Sequence, residues 1–221
     1  AVHGWSILRG AIPPDSIENL RRACDEVLAP YAHQTTDKDV LQITQPRTRE
    51  PTFACTLRNP ELWERVRRVL GWNRIQLLQD VLLYRSPRST GRVDWHRDHT
   101  YTAFLNPPIL ASVRIALTHS RLESGGLNVM DKSHLLDVDI APEIFASSIE
   151  ANLVESLEIQ QGASTRPAVE AIELQPGDVS IHHSKTIHGS FENHSGEAQK
   201  VIVNHVFDAG CRLEPSKLPS D

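Results

Sequence analysis

The stretch LQPGDVSIHHSKTIHGSFENHS, residues 174–195, contains the pattern from which the fold prediction starts. Pro176-Gly177-Asp178 is a turn sequence, because proline presets one backbone angle and glycine tolerates a positive φ. Residues 169–174 before the turn and residues 179–183 after it have the short, largely apolar pattern typical of strands. The stretch therefore predicts two strands joined by a tight turn.

Similar short strands lie on both sides of this stretch. Residues 111–118 alternate, with Val113, Ile115 and Leu117 on one face and Arg114 among the residues on the other. The apolar face is expected to pack outward against helices, which places Arg114 inside the barrel. The predicted strands are residues 5–10, 75–84, 111–118, 127–130, 169–174, 179–183 and 200–207.

Two helices are predicted before most of these strands. The first begins at Pro13-Pro14-Asp15 and ends at Pro30. The second has Asn59 as its N-cap, Pro60 at its first position and Gly71 just past its end. Helices followed by many short strands predict a mainly β fold, in which the helices flank an antiparallel double sheet. The double-stranded β-helix, a cupin-like jelly-roll barrel, fits this order.

Less regular segments complete the predicted architecture. Residues 31–58 are expected to be a long loop with little regular structure, and residues 142–157 a helical or irregular insertion. We find no internal repeat, low-complexity tract or domain linker in the sequence. Residues 1–221 are therefore expected to form a single domain.

The composition argues against several classes of function. A net charge of -5 is unlike that of a nucleic-acid-binding protein, which normally presents a basic face. The longest apolar runs are only a few residues, too short for a membrane span. Cys24, Cys55 and Cys211 form no CxxC pair and are expected to be reduced, mostly buried thiols. With no signal segment visible at the start of the numbered sequence, a cytoplasmic protein is expected.

The motif Trp95-His96-Arg97-Asp98 indicates a metal site. In an extended segment, His96 and Asp98 point to the same side because side chains repeat with period two. A third ligand is expected from a distant strand, and His188 offers one. Two histidines and one carboxylate form the facial triad of non-haem iron(II) oxygenases, which leaves positions for a bidentate co-substrate and O2. An HxD pair alone is weak support in a chain with 11 histidines, and a surface loop is the alternative.

The chain resembles the phytanoyl-CoA dioxygenase family of Fe(II)- and 2-oxoglutarate-dependent oxygenases over nearly its whole length, least in residues 31–58 and 136–168. The blocks that carry the resemblance are GWSILRGAIPPDSIENLR, WHRD, GGLNVMDKSH and LQPGDVSIHHSKTIHGSFENHS. It implies that His96, Asp98 and His188 bind iron(II), with 2-oxoglutarate as co-substrate and O2 as oxidant. It also implies hydroxylation of a small-molecule substrate, with release of succinate and CO2. Asp98 favours hydroxylation over halogenation, because related halogenases carry a small residue there.

One departure from the family pattern concerns the distal carboxylate of 2-oxoglutarate. The family commonly binds it with an arginine eleven residues after the last ligand histidine, where this chain has Gln199, followed by Lys200. A neutral amide cannot provide the charge-assisted grip of arginine. Either Lys200 substitutes after a small shift, or the positive charge comes from elsewhere. We hypothesise that Arg114 supplies that charge. The alternatives are that Arg114 pairs with a nearby acidic residue or that the two faces of its strand are reversed.

Three further residues are weaker candidates for binding the co-substrate. By the resemblance, Arg85 occupies a position where some family members have a basic residue that helps bind 2-oxoglutarate, and Ser190 matches a hydroxyl with the same role. Gln79 could face the site from the same predicted strand. For Arg85 the alternative is a strand-end residue held in solvent. The remaining histidines near these motifs are expected to be structural and not ligands: His99, His134, His182 and His183.

The sequence predicts the substrate only as a small molecule. Substrate contacts are expected in residues 31–58 and 86–106. Arginines in these stretches could favour an anionic group on the substrate. The preferred interpretation is that these arginines form a solvated surface. These arginines are Arg47, Arg49, Arg88, Arg92 and Arg97. The rival function is a metal-binding β-helix protein that does not use 2-oxoglutarate, either another metalloenzyme or a non-catalytic module. Gln199 supports this rival, and the three retained ligands oppose it.

Overall fold

The computed structural model describes residues 2–32, 40–136 and 168–218. Within these residues the helices are α1 (Pro14–Leu28), α2 (Ala54–Leu57) and α3 (Pro60–Leu70). The strands are β1 (Trp5–Leu8), β2 (Leu41–Thr44), β3 (Ile75–Arg85), β4 (Val93–His96), β5 (Leu105–Asn106), β6 (Leu110–Ala116), β7 (Leu127–Met130), β8 (Val169–Ile172), β9 (Val179–His183), β10 (His188–Ser190), β11 (Gln199–Asp208) and β12 (Arg212–Leu213). None of the described helices is long and apolar enough to cross a membrane.

The described strands form two main sheets. The larger has six strands in the order β1-β9-β6-β11-β3-β2, and the smaller has four in the order β4-β10-β7-β8. The pairings between neighbouring strands in the described residues are antiparallel, for example β11 with β3 and β10 with β7. Ala116 of the larger sheet packs with Leu127 and Ile172 of the smaller sheet, so the two sheets face each other. This is the predicted double-stranded β-helix, and the fold prediction is confirmed.

The other face of the six-stranded sheet is covered by helices. Ile17 and Leu20 of α1 share one buried cluster with Val113 and Ile115 of β6. Full burial of each such side chain stabilises the fold by about 1.5–3 kcal/mol. Because alternate residues of a strand point to opposite faces, Arg114 must face the smaller sheet. The predicted orientation of residues 111–118 is confirmed, and the alternative of reversed faces is wrong.

Helix α3 begins and ends where its sequence signals place the boundaries. The side chain of Asn59 accepts a hydrogen bond from the backbone N–H of Leu62 at 3.0 Å. Gly71 follows the last helical residue at φ +70° and donates its N–H to the carbonyl of Arg67. Asparagine at the N-cap and glycine at the left-handed C-terminal position satisfy backbone groups that the helix itself leaves unpaired.

Two predictions from the sequence need correction, one about the loop at residues 31–58 and one about the burial of the cysteines. Residues 31–58 contain more regular structure than expected, because β2 pairs with β3 and places Ile43 in the buried core. Cys24 is buried as expected, but Cys55 is exposed, so the expectation of mostly buried thiols holds only in part. The predicted insertion at residues 142–157 lies outside the described residues.

The Pro176-Gly177-Asp178 turn is attached to the first strand through the carboxylate of Asp178. That carboxylate accepts hydrogen bonds from the backbone N–H of Gly10 at 2.8 Å and of Gln175 at 2.9 Å, and from Arg9 Nη1 at 2.7 Å. Burial would raise the pKa of Asp178, but these donors outweigh it and lower the pKa below its ordinary 3.8. The ionised carboxylate therefore stabilises the folded state.

We expect Asp178→Ala to reduce the free energy of unfolding by about 3 kcal/mol, because two backbone donors and one guanidinium lose their acceptor. Urea unfolding at pH 7 would measure this, with Asp208→Ala as a control at a half-buried carboxylate that accepts from the backbone N–H of Gly210. Since the folded pKa is lowered, the stabilisation is present above about pH 4 and is lost as the pH falls through the folded pKa. Equal effects of the two substitutions would contradict this role for Asp178.

Candidate metal and co-substrate site

The structure brings His96, Asp98 and His188 together at one edge of the smaller sheet. Strand β4 ends at His96, β10 begins at His188, and the two residues are direct partners across the paired strands. Their rings lie 4.1 Å apart between centroids. Asp98 Oδ1 lies 3.5 Å from His96 Nε2 and 3.6 Å from His188 Nε2. One ligand atom from each residue lies within 4.8 Å of the others, a spacing that can hold one metal ion.

Backbone carbonyls orient both imidazoles for metal binding. The Nδ1 atom of His96 lies 2.8 Å from the carbonyl of Asp94, and that of His188 lies 2.9 Å from the carbonyl of Thr186. A carbonyl oxygen only accepts, so each Nδ1 carries the proton and donates it. In the neutral imidazole each Nε2 then carries the lone pair and faces Asp98, which is the tautomer that a metal requires.

The charges of the site also suit a metal ion. Burial alone would raise the pKa of Asp98, but His188, His182 and His96 outweigh it and hold the pKa well below its ordinary value. Burial, reinforced by His96 and His182, holds the pKa of His188 well below its ordinary value. Near neutral pH the site therefore offers an ionised carboxylate and a neutral imidazole, the protonation states of metal ligands.

The second oxygen of Asp98 contacts residues of the larger sheet. Ser112 Oγ donates a hydrogen bond to Asp98 Oδ2 at 2.6 Å, and His182 Nε2 lies 3.3 Å from the same oxygen. His205 Nδ1 lies 3.0 Å from Ser112 Oγ. Neither Ser112 nor His205 was predicted as a site residue from the sequence, although a histidine among apolar residues in a predicted strand was a signal that could have indicated His205.

Arg85 lies in a second polar cluster with Ser190 and Gln199. Its Nη1 donates to Gln199 Oε1 at 2.8 Å and to the Gly125 carbonyl at 2.6 Å, and its Nη2 donates to Ser190 Oγ at 2.9 Å. Arg85 and Gln199 are direct partners on β3 and β11. Gly125, at φ +74°, leaves room for the guanidinium, because a Cβ there would overlap Arg85 Nη1. Arg85 is only 2% exposed, so the alternative of a solvent-held residue is wrong.

Arg114 provides a second buried guanidinium, which interacts with one residue of each cluster. It is 8% exposed and interacts electrostatically with Arg85 and with Asp98. Burial first, and then Arg85, lowers the pKa of Arg114 to about 10, against the opposing effect of Asp98. Burial likewise lowers the pKa of Arg85 to about 10. Among the residues that the structure describes, no hydrogen bond or ion pair involves the Arg114 guanidinium.

The sequence matches a model of a known protein family over most of its length. The family model described as phytanoyl-CoA dioxygenase (PhyH) matches residues 2–201. This chain belongs to the phytanoyl-CoA dioxygenase family. The resemblance to this family implies the Fe(II)- and 2-oxoglutarate-dependent dioxygenase chemistry that the sequence predicts.

The chain is also similar to curated relatives and, in its fold, to solved structures. Phytanoyl-CoA dioxygenase 1 of Oryza sativa subsp. japonica is 24% identical over 143 residues, which are 64% of this chain and 48% of that relative. The chain spans about half the length of the curated relatives it matches. The non-heme alpha ketoglutarate dependent carbocyclase SnoK from nogalamycin biosynthesis has a similar fold, with a TM-score of 0.75 at 22% identity over 97% of this chain and 83% of that chain. EctD from S. alaskensis, solved with 2-oxoglutarate and 5-hydroxyectoine, has a TM-score of 0.75 at 21% identity over 99% of this chain and 78% of that chain.

Not every candidate residue of this phytanoyl-CoA dioxygenase family member lies at the site. Lys200 lies on the helix-covered face of β11 and forms an ion pair with Asp25 of α1. The structure therefore does not bring Lys200 to the co-substrate region, because neighbouring residues of a strand point to opposite faces. Gln79 is the direct partner of His205 and so shares the inner face of the sheet with it.

Most of the loop arginines have partners within the protein. Arg47 pairs with Asp80, Arg49 with Tyr31, Arg92 with Asp94 and Glu192, and Arg97 with the carbonyls of Ser133 and Leu136. Arg49, Arg88 and Arg92 are exposed, which agrees with the preferred interpretation of a solvated surface, whereas Arg97 is buried and departs from it.

Proposed function

We propose that this member of the phytanoyl-CoA dioxygenase family is an Fe(II)- and 2-oxoglutarate-dependent dioxygenase that hydroxylates a small-molecule substrate and releases succinate and CO2. The observation that carries the proposal is the cluster of His96, Asp98 and His188, whose histidine Nε2 atoms both face one carboxylate oxygen. A cytoplasmic location and a single domain over residues 1–221 stay predictions from the sequence.

The donor set fits iron(II). Two imidazoles and one carboxylate on one side of an ion match the facial triad, and they leave coordination positions for other ligands. In our proposal His96, Asp98 and His188 hold the metal. Bound there, iron(II) with 2-oxoglutarate and O2 would supply the oxidising chemistry, with the protein providing binding, orientation and electrostatics.

We place the distal carboxylate of 2-oxoglutarate beside Arg85 and Arg114. Two buried guanidinium groups that interact with each other are costly unless an anion lies between them. A carboxylate can accept charge-assisted hydrogen bonds from both. Ser190 lies within the same cluster and its hydroxyl can contribute to binding.

Gln199 takes a different role from the arginine that the family commonly has at this position. Its Oε1 accepts a hydrogen bond from Arg85, while its Nε2 lies 3.4 Å from Ser120 Oγ. We propose that Gln199 positions Arg85, so that the positive charge comes from the neighbouring strand instead of from residue 199. Gln79 lies on the inner face of the sheet beside His205, and we propose for it only a position near the site.

The rival proposal is a metal-binding protein of the same fold that does not use 2-oxoglutarate. Gln199 favours it, because the family arginine is missing. Arg85 and Arg114 oppose it, because a site without an anionic co-substrate gives no reason to bury two cations together.

Anaerobic titration tests the proposal directly. Iron(II) and then 2-oxoglutarate are added to the wild-type protein while the visible charge-transfer absorption of the chelate is recorded, with His96→Ala as the control. We expect the absorption in the wild type and its absence in the variant, followed by succinate formation when O2 is admitted with a substrate. Bound iron without the absorption in the wild type would favour the rival.

A further inference from the structure

A row of polar side chains crosses the inner face of the six-stranded sheet at the level of Asp98. His182 of β9 is the direct partner of Ser112 of β6, and Ser112 is the direct partner of His205 of β11. Directly opposite residues of antiparallel strands have their side chains on the same face. We call His182, Ser112 and His205 the polar row. Ser112 and His182 are almost completely buried, which is costly for polar groups unless they have partners.

The two oxygens of Asp98 face different sheets. Oδ1 points toward His96 and His188 of the smaller sheet, at 3.5 and 3.6 Å from their Nε2 atoms. Oδ2 points toward the larger sheet, where Ser112 donates to it at 2.6 Å and His182 Nε2 lies 3.3 Å away. Oδ1 therefore faces the proposed metal position. Oδ2, the outer oxygen, has two neighbours that can donate hydrogen bonds to it.

The protons of the polar row have one consistent arrangement. Ser112 has a single hydroxyl proton, and it is donated to Asp98 Oδ2. His205 Nδ1, 3.0 Å from Ser112 Oγ, must then be the donor in that contact. The chain of hydrogen bonds runs from His205 through Ser112 to Asp98, and such chains strengthen each member. His205 thus acts on Asp98 without touching it.

We propose that the polar row holds the outer oxygen of Asp98 and so keeps this carboxylate a one-oxygen metal ligand. A carboxylate can bind a metal through one oxygen or through two, and the second oxygen would occupy a coordination position. The proposed chemistry needs those positions for the co-substrate and O2. Ser112, His182 and His205 are positioning residues in this scheme. The inference rests on the proposed function and deepens it by assigning a task to the larger sheet.

His182 differs from the proposed metal ligands in the Asp98 oxygen that it approaches, although its ring lies only 4.2 Å from that of His188 between centroids. Its Nε2 approaches Oδ2, whereas the Nε2 atoms of His96 and His188 approach Oδ1. Among the described residues, His96, Asp98 and His188 form a group in which one ligand atom of each lies within 4.8 Å of those of the other two. His182 therefore supports the carboxylate from the side away from the metal.

Substitution of Ser112 by alanine tests the inference with little change in volume. Ser180→Ala is the matched control, since Ser180 is a buried serine on the same sheet face and, in the part of the chain that the structure describes, its hydroxyl has no hydrogen-bond partner. The iron(II) dissociation constant and the visible spectrum of the cobalt(II)-substituted protein are compared in both variants and the wild type. Thermal unfolding is recorded in parallel, to detect any general loss of stability.

We expect Ser112→Ala to raise the iron(II) dissociation constant about 10- to 100-fold, the usual effect of losing a partner of a metal ligand. The cobalt(II) spectrum should change because the coordination of Asp98 changes, which a merely structural serine would not cause. Ser180→Ala should leave both properties unchanged. His205→Phe should shift the cobalt(II) spectrum in the same direction by a smaller amount, because it weakens only the support of Ser112.

Two outcomes would overturn the inference while leaving the proposed function intact. One is an unchanged dissociation constant and an unchanged cobalt(II) spectrum in Ser112→Ala, although the wild type shows the 2-oxoglutarate absorption. The other is a loss of metal in His182→Phe as complete as in His188→Ala, which would make His182 a ligand. Failure of the wild type to show that absorption would instead count against the proposed function, and the cobalt(II) comparison would still report how Asp98 binds.

Discussion

His188→Ala is expected to abolish both metal binding and 2-oxoglutarate turnover. Its Nε2 lies 3.6 Å from Asp98 Oδ1, and the ring is held by the carbonyl of Thr186. Without it, two of the three proposed ligands remain, and these two, which are separated by one residue, cannot supply three ligand atoms on one side of an ion. The loss of affinity should exceed the roughly 10- to 100-fold that follows from removing an outer partner. Metal content after dialysis and succinate production would measure the two effects.

The matched control for this experiment is His183→Ala. His183 is another histidine of residues 179–188. Its ring lies 5.9 Å from the ring of His134 between centroids, and His183 is not part of the proposed metal cluster. Its removal should leave the metal content unchanged. A protein that retained stoichiometric iron after His188→Ala, or lost it after His183→Ala, would show that the ligand set is different.

Replacing Arg85 and Arg114 by methionine is expected to weaken 2-oxoglutarate binding by about 10- to 100-fold for each residue, because each loses a charge-assisted hydrogen bond to the carboxylate. Methionine preserves much of the side-chain volume without the charge. Affinity would be measured from the charge-transfer absorption as 2-oxoglutarate is titrated into the anaerobic iron(II) protein. The double variant should show coupling between the residues, since in our proposal both contact one carboxylate.

A second ligand and a third variant separate the possible explanations. The co-substrate analogue 2-oxovalerate can chelate the metal but lacks the distal carboxylate, so both variants should bind it as the wild type does. Lys200→Met is the matched control, because Lys200 is also a cation next to Gln199 but pairs with Asp25 on the other face. Equal weakening of both ligands in Arg114→Met would place Arg114 at the metal end of 2-oxoglutarate. Unchanged 2-oxoglutarate affinity in Arg114→Met would leave Arg85 as the single anchor.

Local sequence patterns were sufficient to predict most of the regular elements. The strands predicted at residues 127–130 and 179–183 have the observed bounds of β7 and β9. Helix α3 was predictable because its end signals act within one turn of the helix. Strand β2 was missed because only four residues, Leu41–Thr44, alternate there, and the strand owes its existence to pairing with β3.

The side of β11 on which each residue lies was harder to predict. This strand is buried on both faces, so its apolar residues form a nearly continuous run that does not distinguish inside from outside. Gln199 and Lys200 are adjacent, and a shift of one residue exchanges the faces. The structure places Gln199 beside Arg85 and Lys200 beside α1, which decides which of the two belongs to the candidate site.

By itself, the sequence determined the class of the fold and the identity of the candidate metal ligands. The spacing of His96 and Asp98, together with period-two alternation, needs only local geometry. The tertiary structure alone decided that Arg85 meets Gln199, 114 positions away, and that Ser112 and His205 support Asp98. The physical reason is that these contacts depend on the register of strands far apart in sequence, and register is a property of the packed sheet and not of any one strand.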